Sequence, residues 1–101
     1  MNTSKRYFVK EKDLVTRCVA GETIVVPIKN NVGDLDSIYT LNEVGTTIWE
    51  LIDGKNSVSR IAEVISNTYE VKLEEAERDA LQFINSLEKA GMIRTVENKM
   101  E

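Results

Sequence analysis

The sequence of 101 residues contains no histidine and only one cysteine, Cys18. Without histidine the chain lacks an imidazole that could act as a general base near neutral pH or as a metal ligand. A single cysteine excludes an internal disulfide and a cysteine cluster for zinc or an iron–sulfur centre. The chain also has no glycine-rich phosphate loop. These absences predict a protein that is not an enzyme, with no catalytic residues, metal site or cofactor.

Long apolar runs are absent as well. No segment approaches the roughly 20 apolar residues that span a bilayer, and the basic start has no apolar signal-peptide region after it. We therefore expect a cytoplasmic protein without membrane contact, in which the lone thiol of Cys18 stays reduced. Apolar residues make up 42% of the chain and charged residues 30%, which is typical of one soluble globular domain.

Charge is distributed unevenly along the chain, whose net charge is −4. Residues 1–33 carry six bases and three acids, whereas residues 34–101 carry seven bases and fourteen acids. We expect residues 1–12 to form a basic, flexible arm, residues 13–96 to form the domain, and residues 97–101 to be a C-terminal tail.

Strand-forming residues dominate the first part of the expected domain. Leu14–Val19 and Thr23–Ile28 predict a hairpin, in which Cys18 is a small buried residue. Pro27 should lie at a bulge or direct its missing N–H away from the partner strand, because proline cannot donate to a ladder. A third short strand is predicted at Ser37–Leu41.

From Asn42 onward the apolar period becomes helical. Asn42 and Ser57 are suitable N-caps for two helices that end near Gly54 and Tyr69, and a third helix is predicted over residues 73–90. The expected core stripe of this third helix consists of Ala76, Ala80, Phe83, Ile84 and Leu87. After Gly91, a Schellman-type contact should fold the chain back. Three strands followed by three helices predict a winged-helix-like α+β domain with a three-stranded antiparallel sheet.

An ordered set of residues resembles the PqqD-like family. The set comprises Leu41–Gly45, Ile48–Gly54, Ile61, Asp79–Ala80, Phe83, Leu87 and Gly91–Ile93. Together with the strands, the resemblance covers about residues 14–93, and it is the order of the whole set that makes it specific.

The resemblance implies a recognition element for ribosomally made, modified peptides. Such a module binds the leader of a precursor peptide and presents it to a modifying enzyme, often a radical S-adenosylmethionine enzyme. Family members serve the synthesis of pyrroloquinoline quinone (PQQ), lasso peptides or sactipeptides. The implied role is that of a non-catalytic peptide-binding chaperone.

In this family the leader adds as a strand beside the third strand, against the third helix. Carried over to this sequence, the docking strand comprises Asp36, Ser37, Ile38, Tyr39 and Thr40. The groove-lining candidates on the third helix are Arg78, Leu81, Gln82 and Asn85. Half-buried packing is the default explanation for Tyr39, and burial is at least as good an explanation for Leu81. A solvated surface position is the more common role for Arg78, Gln82 and Asn85.

Two alternatives follow from the pattern of elements. A winged-helix DNA-binding protein has a compatible element order, but the third helix carries five acids and two bases and would repel phosphates. A homodimer formed through the unpaired strand edge is a further hypothesis about assembly.

Overall fold

A computed structural model describes residues 6–29, 32–33 and 38–96 of the chain. The elements are β1 (Tyr7–Lys10), β2 (Leu14–Val19), β3 (Glu22–Lys29), β4 (Val32–Gly33), β5 (Tyr39–Leu41), α1 (Glu43–Leu51), α2 (Val58–Tyr69), α3 (Leu73–Lys89) and β6 (Ile93–Val96). The predicted α+β class is confirmed: the three predicted antiparallel strands, β2, β3 and β5, lie in one sheet, which β4 extends, and three helices follow. Strands β1, β4 and β6 are additions to the predicted set. The predicted residues Asp36 and Ser37 lie outside the described residues.

The main sheet has β3 at its centre. Strand β2 pairs with one edge of β3 in a hairpin that runs from Leu14 opposite Pro27 to Val19 opposite Glu22. The two residues of the turn, Ala20 and Gly21, both have positive φ, which gives the tight turn that suits twisted strands. On the other edge of β3, β4 and β5 follow one another, both antiparallel to it.

Pro27 lies where the pairing on this second edge is interrupted. The Ile28 N–H donates to the Asp13 carbonyl at 2.8 Å, on the β2 side. Because backbone groups alternate along a strand, the missing N–H of Pro27 faces the opposite edge. On that edge the pairing passes from Ile28 opposite Gly33 to Val25 opposite Tyr39, so Pro27 has no partner there among the described residues. The expectation for Pro27 is thereby confirmed.

A second sheet joins the two ends of the described chain. β1 pairs antiparallel with β6, from Tyr7 opposite Val96 to Lys10 opposite Ile93. The Phe8 side chain is 2% exposed, and its carbonyl accepts a hydrogen bond of 2.8 Å from the Gly54 N–H. Residues 7–10 are therefore part of the fold and not of a solvated arm. The reason is that β6, far away in sequence, provides the ladder that this short segment needs.

The helix ends follow the predicted signals closely. The Asn42 side chain accepts from the Gly45 N–H at 2.8 Å, and α2 has the matching N-cap bond at Ser57. Beyond α3, the Met92 N–H reaches the Leu87 carbonyl and the Gly91 N–H reaches the carbonyl of Glu88, each at 3.0 Å. These two bonds are the predicted Schellman motif.

The end of α1 differs slightly from the expectation. The helix stops at Leu51, and Gly54, with φ of +79°, lies in the turn that follows rather than directly at the helix end. The Asp53 carboxylate organises this turn by accepting from the N–H groups of Lys55 and Asn56 at 2.8 and 3.1 Å. These side-chain bonds stabilise a turn between Leu51 and the expected helix end near Gly54.

One core lies between the main sheet and the helices, and β1 and β6 contribute to it. Its buried side chains are Phe8, Val25, Leu41, Ile48, Trp49, Ile52, Val58, Ile61, Ala62, Ile65, Ala76, Ala80, Ile84, Leu87, Met92 and Ile93. The prediction that Cys18 is buried is wrong, because it lies on the edge strand β2, whose residues 15–19 are all exposed. Within the described residues, no helix has the length and apolar character needed to cross a membrane.

Candidate functional site

Strand β5 presents an edge that no other described strand covers. Successive residues of a strand direct their backbone N–H and C=O groups to opposite edges. The Ile28 N–H points toward β2, and Val25 and Thr23 lie three and five residues before it, so their backbone groups point toward β5. Tyr39, opposite Val25, therefore points its backbone groups at β3, while the N–H and C=O of Thr40 point away from the sheet. No other strand of the described residues pairs with β5. Such an edge is a template for an added strand.

A cleft of about 480 Å³ lies beside this edge, between β5, the first half of α1 and the middle of α3. Its lining residues are Thr40, Leu41, Asn42, Val44, Gly45, Ile48, Asp79 and Phe83. Leu41 and Ile48 are almost fully buried, and Val44 and Phe83 are half-buried and pack against the core. The cleft therefore has an apolar floor that belongs to the core of the domain.

Gly45 allows α1 and α3 to approach each other at the base of the cleft. A Cβ atom at this position would lie 3.2 Å from Cζ of Phe83 and 3.3 Å from Oδ1 of Asn42. Both distances are shorter than ordinary van der Waals contacts. The absent side chain thus lets the Phe83 ring settle over the N-terminal turn of α1, where Asn42 caps the helix.

The predicted docking strand lies only partly at the cleft. Thr40 is exposed and lines the cleft, whereas the half-buried Tyr39 packs against the core. Ile38 is 46% exposed. The role of these residues in binding stays a prediction.

The candidates on α3 do not line the cleft. Arg78, Gln82 and Asn85 are exposed, and Leu81 is half-buried against the core. With about 100° of rotation per residue, Leu81 lies about 160° around the helix from Phe83. Leu81 therefore occupies the opposite flank of α3, and its predicted contact with a leader stays untested.

Two other α3 residues, Asp79 and Phe83, take the places beside the cleft. Phe83 belongs to the predicted core stripe, and Asp79 belongs to the residues that carry the family resemblance but not to the predicted binding residues. The core stripe of α3 has a border on each side, and the apolar periodicity of the sequence does not distinguish one border from the other. Only the packing of α3 against α1 and β5 determines which border faces the open edge. The sequence signal for this border is Gly45, because a glycine inside a helix indicates that another element approaches closely there. In the structure that element is α3, through Phe83.

The charge of the cleft is negative. Asp79 is exposed and is the one charged side chain among the lining residues in the described part of the chain. Neither of the two ion pairs formed between described residues includes Asp79. The bases of α3, Arg78 and Lys89, are both exposed and do not line the cleft.

The groups with shifted pKa values lie elsewhere, around the loop after α1. The Lys10 ammonium is 5.2 Å from the centroid of the Trp49 ring. Burial lowers the pKa of Lys10, although Asp53 and Glu50 oppose this shift by their charges. Hydrogen bonds, above all from the Lys55 N–H, lower the pKa of Asp53 against a weaker effect of desolvation. None of these residues lines the cleft, so we attribute both shifts to the fold.

A second cavity of about 380 Å³ lies at the far side of β3. It is lined by Glu11, Asp13, Leu14, Pro27, Ile28, Ala90 and Gly91. Here the edge of β3 is already paired with β2, so its backbone N–H and C=O groups are not free to pair with an added strand. Elsewhere too, the described residues contain no group of three or more acidic or cysteine side chains placed to hold a metal ion.

Fold and site together define a winged-helix-like α+β domain with an open strand edge beside an apolar cleft. The family model for coenzyme PQQ synthesis protein D (PqqD) matches residues 22–93. The chain belongs to this family. The matched region includes β3, β5 and all three helices, and thus every residue that lines the cleft.

Two solved structures have similar folds. One is TbiB1 in complex with the TbiA(beta) leader peptide, with a TM-score of 0.74 and 19% identity over 89% of this chain and 99% of that chain. The other is the PqqD truncation of Methylobacterium extorquens PqqCD, described as a stand-alone RiPP recognition element. It has a TM-score of 0.69 and 18% identity, over 92% of this chain and 93% of that chain. At these identities the likeness concerns the fold. No curated protein matches the chain.

Proposed function

We propose that this protein binds the leader of a ribosomally made precursor peptide as an added strand on β5 and presents it to a modifying enzyme. The observation that carries the proposal is the uncovered edge of β5 beside a cleft with an apolar floor. Membership in the PqqD family supports it, as does the similar fold of a protein whose structure contains a leader peptide.

Strand addition divides the work of recognition between backbone and side chains. The outward N–H and C=O of Thr40 pair with the peptide backbone, which provides affinity without regard to sequence. Alternate side chains of the peptide then face the cleft, where Val44, Ile48 and Phe83 take up an apolar group. The protein contributes binding and orientation only, and the chemistry belongs to the enzyme that receives the peptide.

The partners follow from this role. We propose a modifying enzyme of the radical S-adenosylmethionine type, within synthesis of PQQ, a lasso peptide or a sactipeptide, and a cytoplasmic location. Homodimer formation through a strand edge stays a hypothesis; a purely monomeric sedimentation profile at high concentration would exclude it. DNA is a poor partner, because α3 carries five acids and two bases.

Titration of the isotopically labelled protein with synthetic leaders of precursor peptides encoded near it tests the proposal. We expect saturable amide shifts at Thr40 and Leu41, in the first half of α1, and on α3 around Asp79 and Phe83. A scrambled peptide of the same composition is the control. Shifts confined to the β2–β3 hairpin or to β1 would contradict the assignment of the cleft.

A further inference from the structure

The chemistry of the cleft also indicates which peptides it selects; this argument rests on the peptide-binding function proposed above. The floor is apolar, and the one charged lining residue is the acid Asp79. Phe83 lies four residues later on α3 and thus one turn away, on the same side of the helix. An apolar contact and a negative charge are therefore neighbours along one wall.

The positive charges of α3 do not compensate Asp79. Arg78 lies about 100° around the helix from Asp79 and about 140° from Phe83, which places it away from the cleft. Neither ion pair in the described residues includes Asp79, so its carboxylate faces the cleft rim without a described cationic partner. An acidic side chain of a peptide at this place would be repelled, and a basic one would be attracted.

The spacing of the two features matches that of a strand. Asp79 and Phe83 are separated by a rise of about 6 Å along α3. In an extended peptide, alternate side chains on one face are about 6.8 Å apart. A peptide strand whose axis runs along that of α3 therefore places one residue at Phe83 and the residue two positions away at Asp79.

We infer that the cleft selects extended peptides in which an aliphatic or aromatic residue lies two positions from a lysine or arginine. The apolar side chain contacts Phe83 and the floor, and the basic side chain pairs with Asp79. Asp79 is thus a specificity-determining residue for the proposed leader.

A display library of random peptides, each long enough to form one strand, tests the inference by selection on immobilised protein. Wild-type protein should enrich the apolar–x–basic spacing in either direction. The Asp79→Lys variant should keep the apolar preference but exchange the basic residue for an acidic one. The matched control Glu74→Lys makes the same change of charge at an exposed position of α3 that does not line the cleft, about 140° around the helix from Asp79, and should enrich the wild-type motif.

The most enriched peptide, synthesised with a fluorescent label, then gives the affinity by fluorescence polarisation. Asp79→Asn should weaken binding about two- to fivefold, which is the scale of a solvent-exposed ion pair. Enrichment of an apolar position without a basic one, or the same motif with Asp79→Lys, would overturn the inference and leave peptide binding intact. Wild-type protein that retains no peptide of the library above the level of the empty support would overturn the proposed function along with it.

Discussion

At the scale of single residues, Gly54 is a position where a side chain does not fit. Its φ is +79°, and a Cβ atom would lie 2.8 Å from Cγ1 of Val9, which is closer than real contacts come. Its N–H also holds the carbonyl of Phe8 at 2.8 Å. This one residue therefore fixes how strand β1 lies against the loop between α1 and α2.

Replacing Gly54 by alanine should lower the free energy of unfolding by about 2–4 kcal/mol, since backbone strain adds to the contact with Val9. Urea unfolding measures the change. Gly21→Ala is the matched control, because Gly21 has a similar φ of +83° but no atom within 4 Å of the added Cβ. It should lose only about 1 kcal/mol, the strain alone. Equal losses in both variants would show that the contact with Val9 contributes nothing.

Asp53 makes the stability of the same loop depend on pH. Hydrogen bonds from the Lys55 and Asn56 N–H groups lower its pKa, so the folded state binds the proton less readily than the unfolded state. The contribution of Asp53 to folding stability is fully present above its pKa in the unfolded state. It is lost as the pH falls through the lower pKa of the folded state. Wild type should therefore be more stable than Asp53→Ala at about pH 7, and this difference should shrink below about pH 4. A difference that does not change with pH in urea unfolding would exclude this role.

At the scale of elements, local signals could predict most of the fold. The N-caps Asn42 and Ser57 and the apolar period located the helices, since these signals lie within a few residues of each other. Strands β1 and β6 were not predicted, because each has four residues and they pair with each other across the whole domain. The open edge of β5 could be predicted from the sequence with the help of the family resemblance. The border of α3 at the cleft could not, because it depends on how three elements pack.

Two edges of the main sheet offer a direct test of strand addition. Thr40 on β5 and Thr16 on β2 both point their N–H away from the sheet, by the alternation of each strand with β3. Thr40→Pro should remove the donor that a bound peptide needs without breaking a bond to β3. We expect the affinity for the peptide to fall at least about tenfold, because a backbone bond is lost and the ring obstructs the edge.

Thr16→Pro is the matched control for the opposite edge. It should leave the affinity for the peptide unchanged in the same polarisation assay, and circular dichroism should show that both variants are folded. If Thr16→Pro weakened binding as much as Thr40→Pro, the peptide would not dock on β5. The pair of variants thus distinguishes the two edges independently of any side-chain preference.

At the scale of the whole molecule, the small sheet of β1 and β6 closes the domain. β6 begins directly after the Schellman motif of α3, and Met92 and Ile93 are 0% and 2% exposed. Phe8 of β1 completes the same core. The family match, residues 22–93, thus ends where the closing sheet begins. The expected domain of residues 13–96 also omits β1, so a protein truncated to these residues would lose the Phe8 side chain from the core.

Phe8→Ala measures how much this closure contributes. Removing a buried phenylalanine ring should lower the free energy of unfolding by about 3–5 kcal/mol, because its transfer energy is lost and a cavity remains. Val15→Ala, at a 45% exposed site on β2, should change stability by less than about 1 kcal/mol in the same urea titration. Because Phe8 does not line the cleft, the folded fraction of Phe8→Ala should bind peptide with unchanged affinity. A small loss of stability would mean that β1 is dispensable, whereas a weakened affinity at full folding would couple the closing sheet to the cleft.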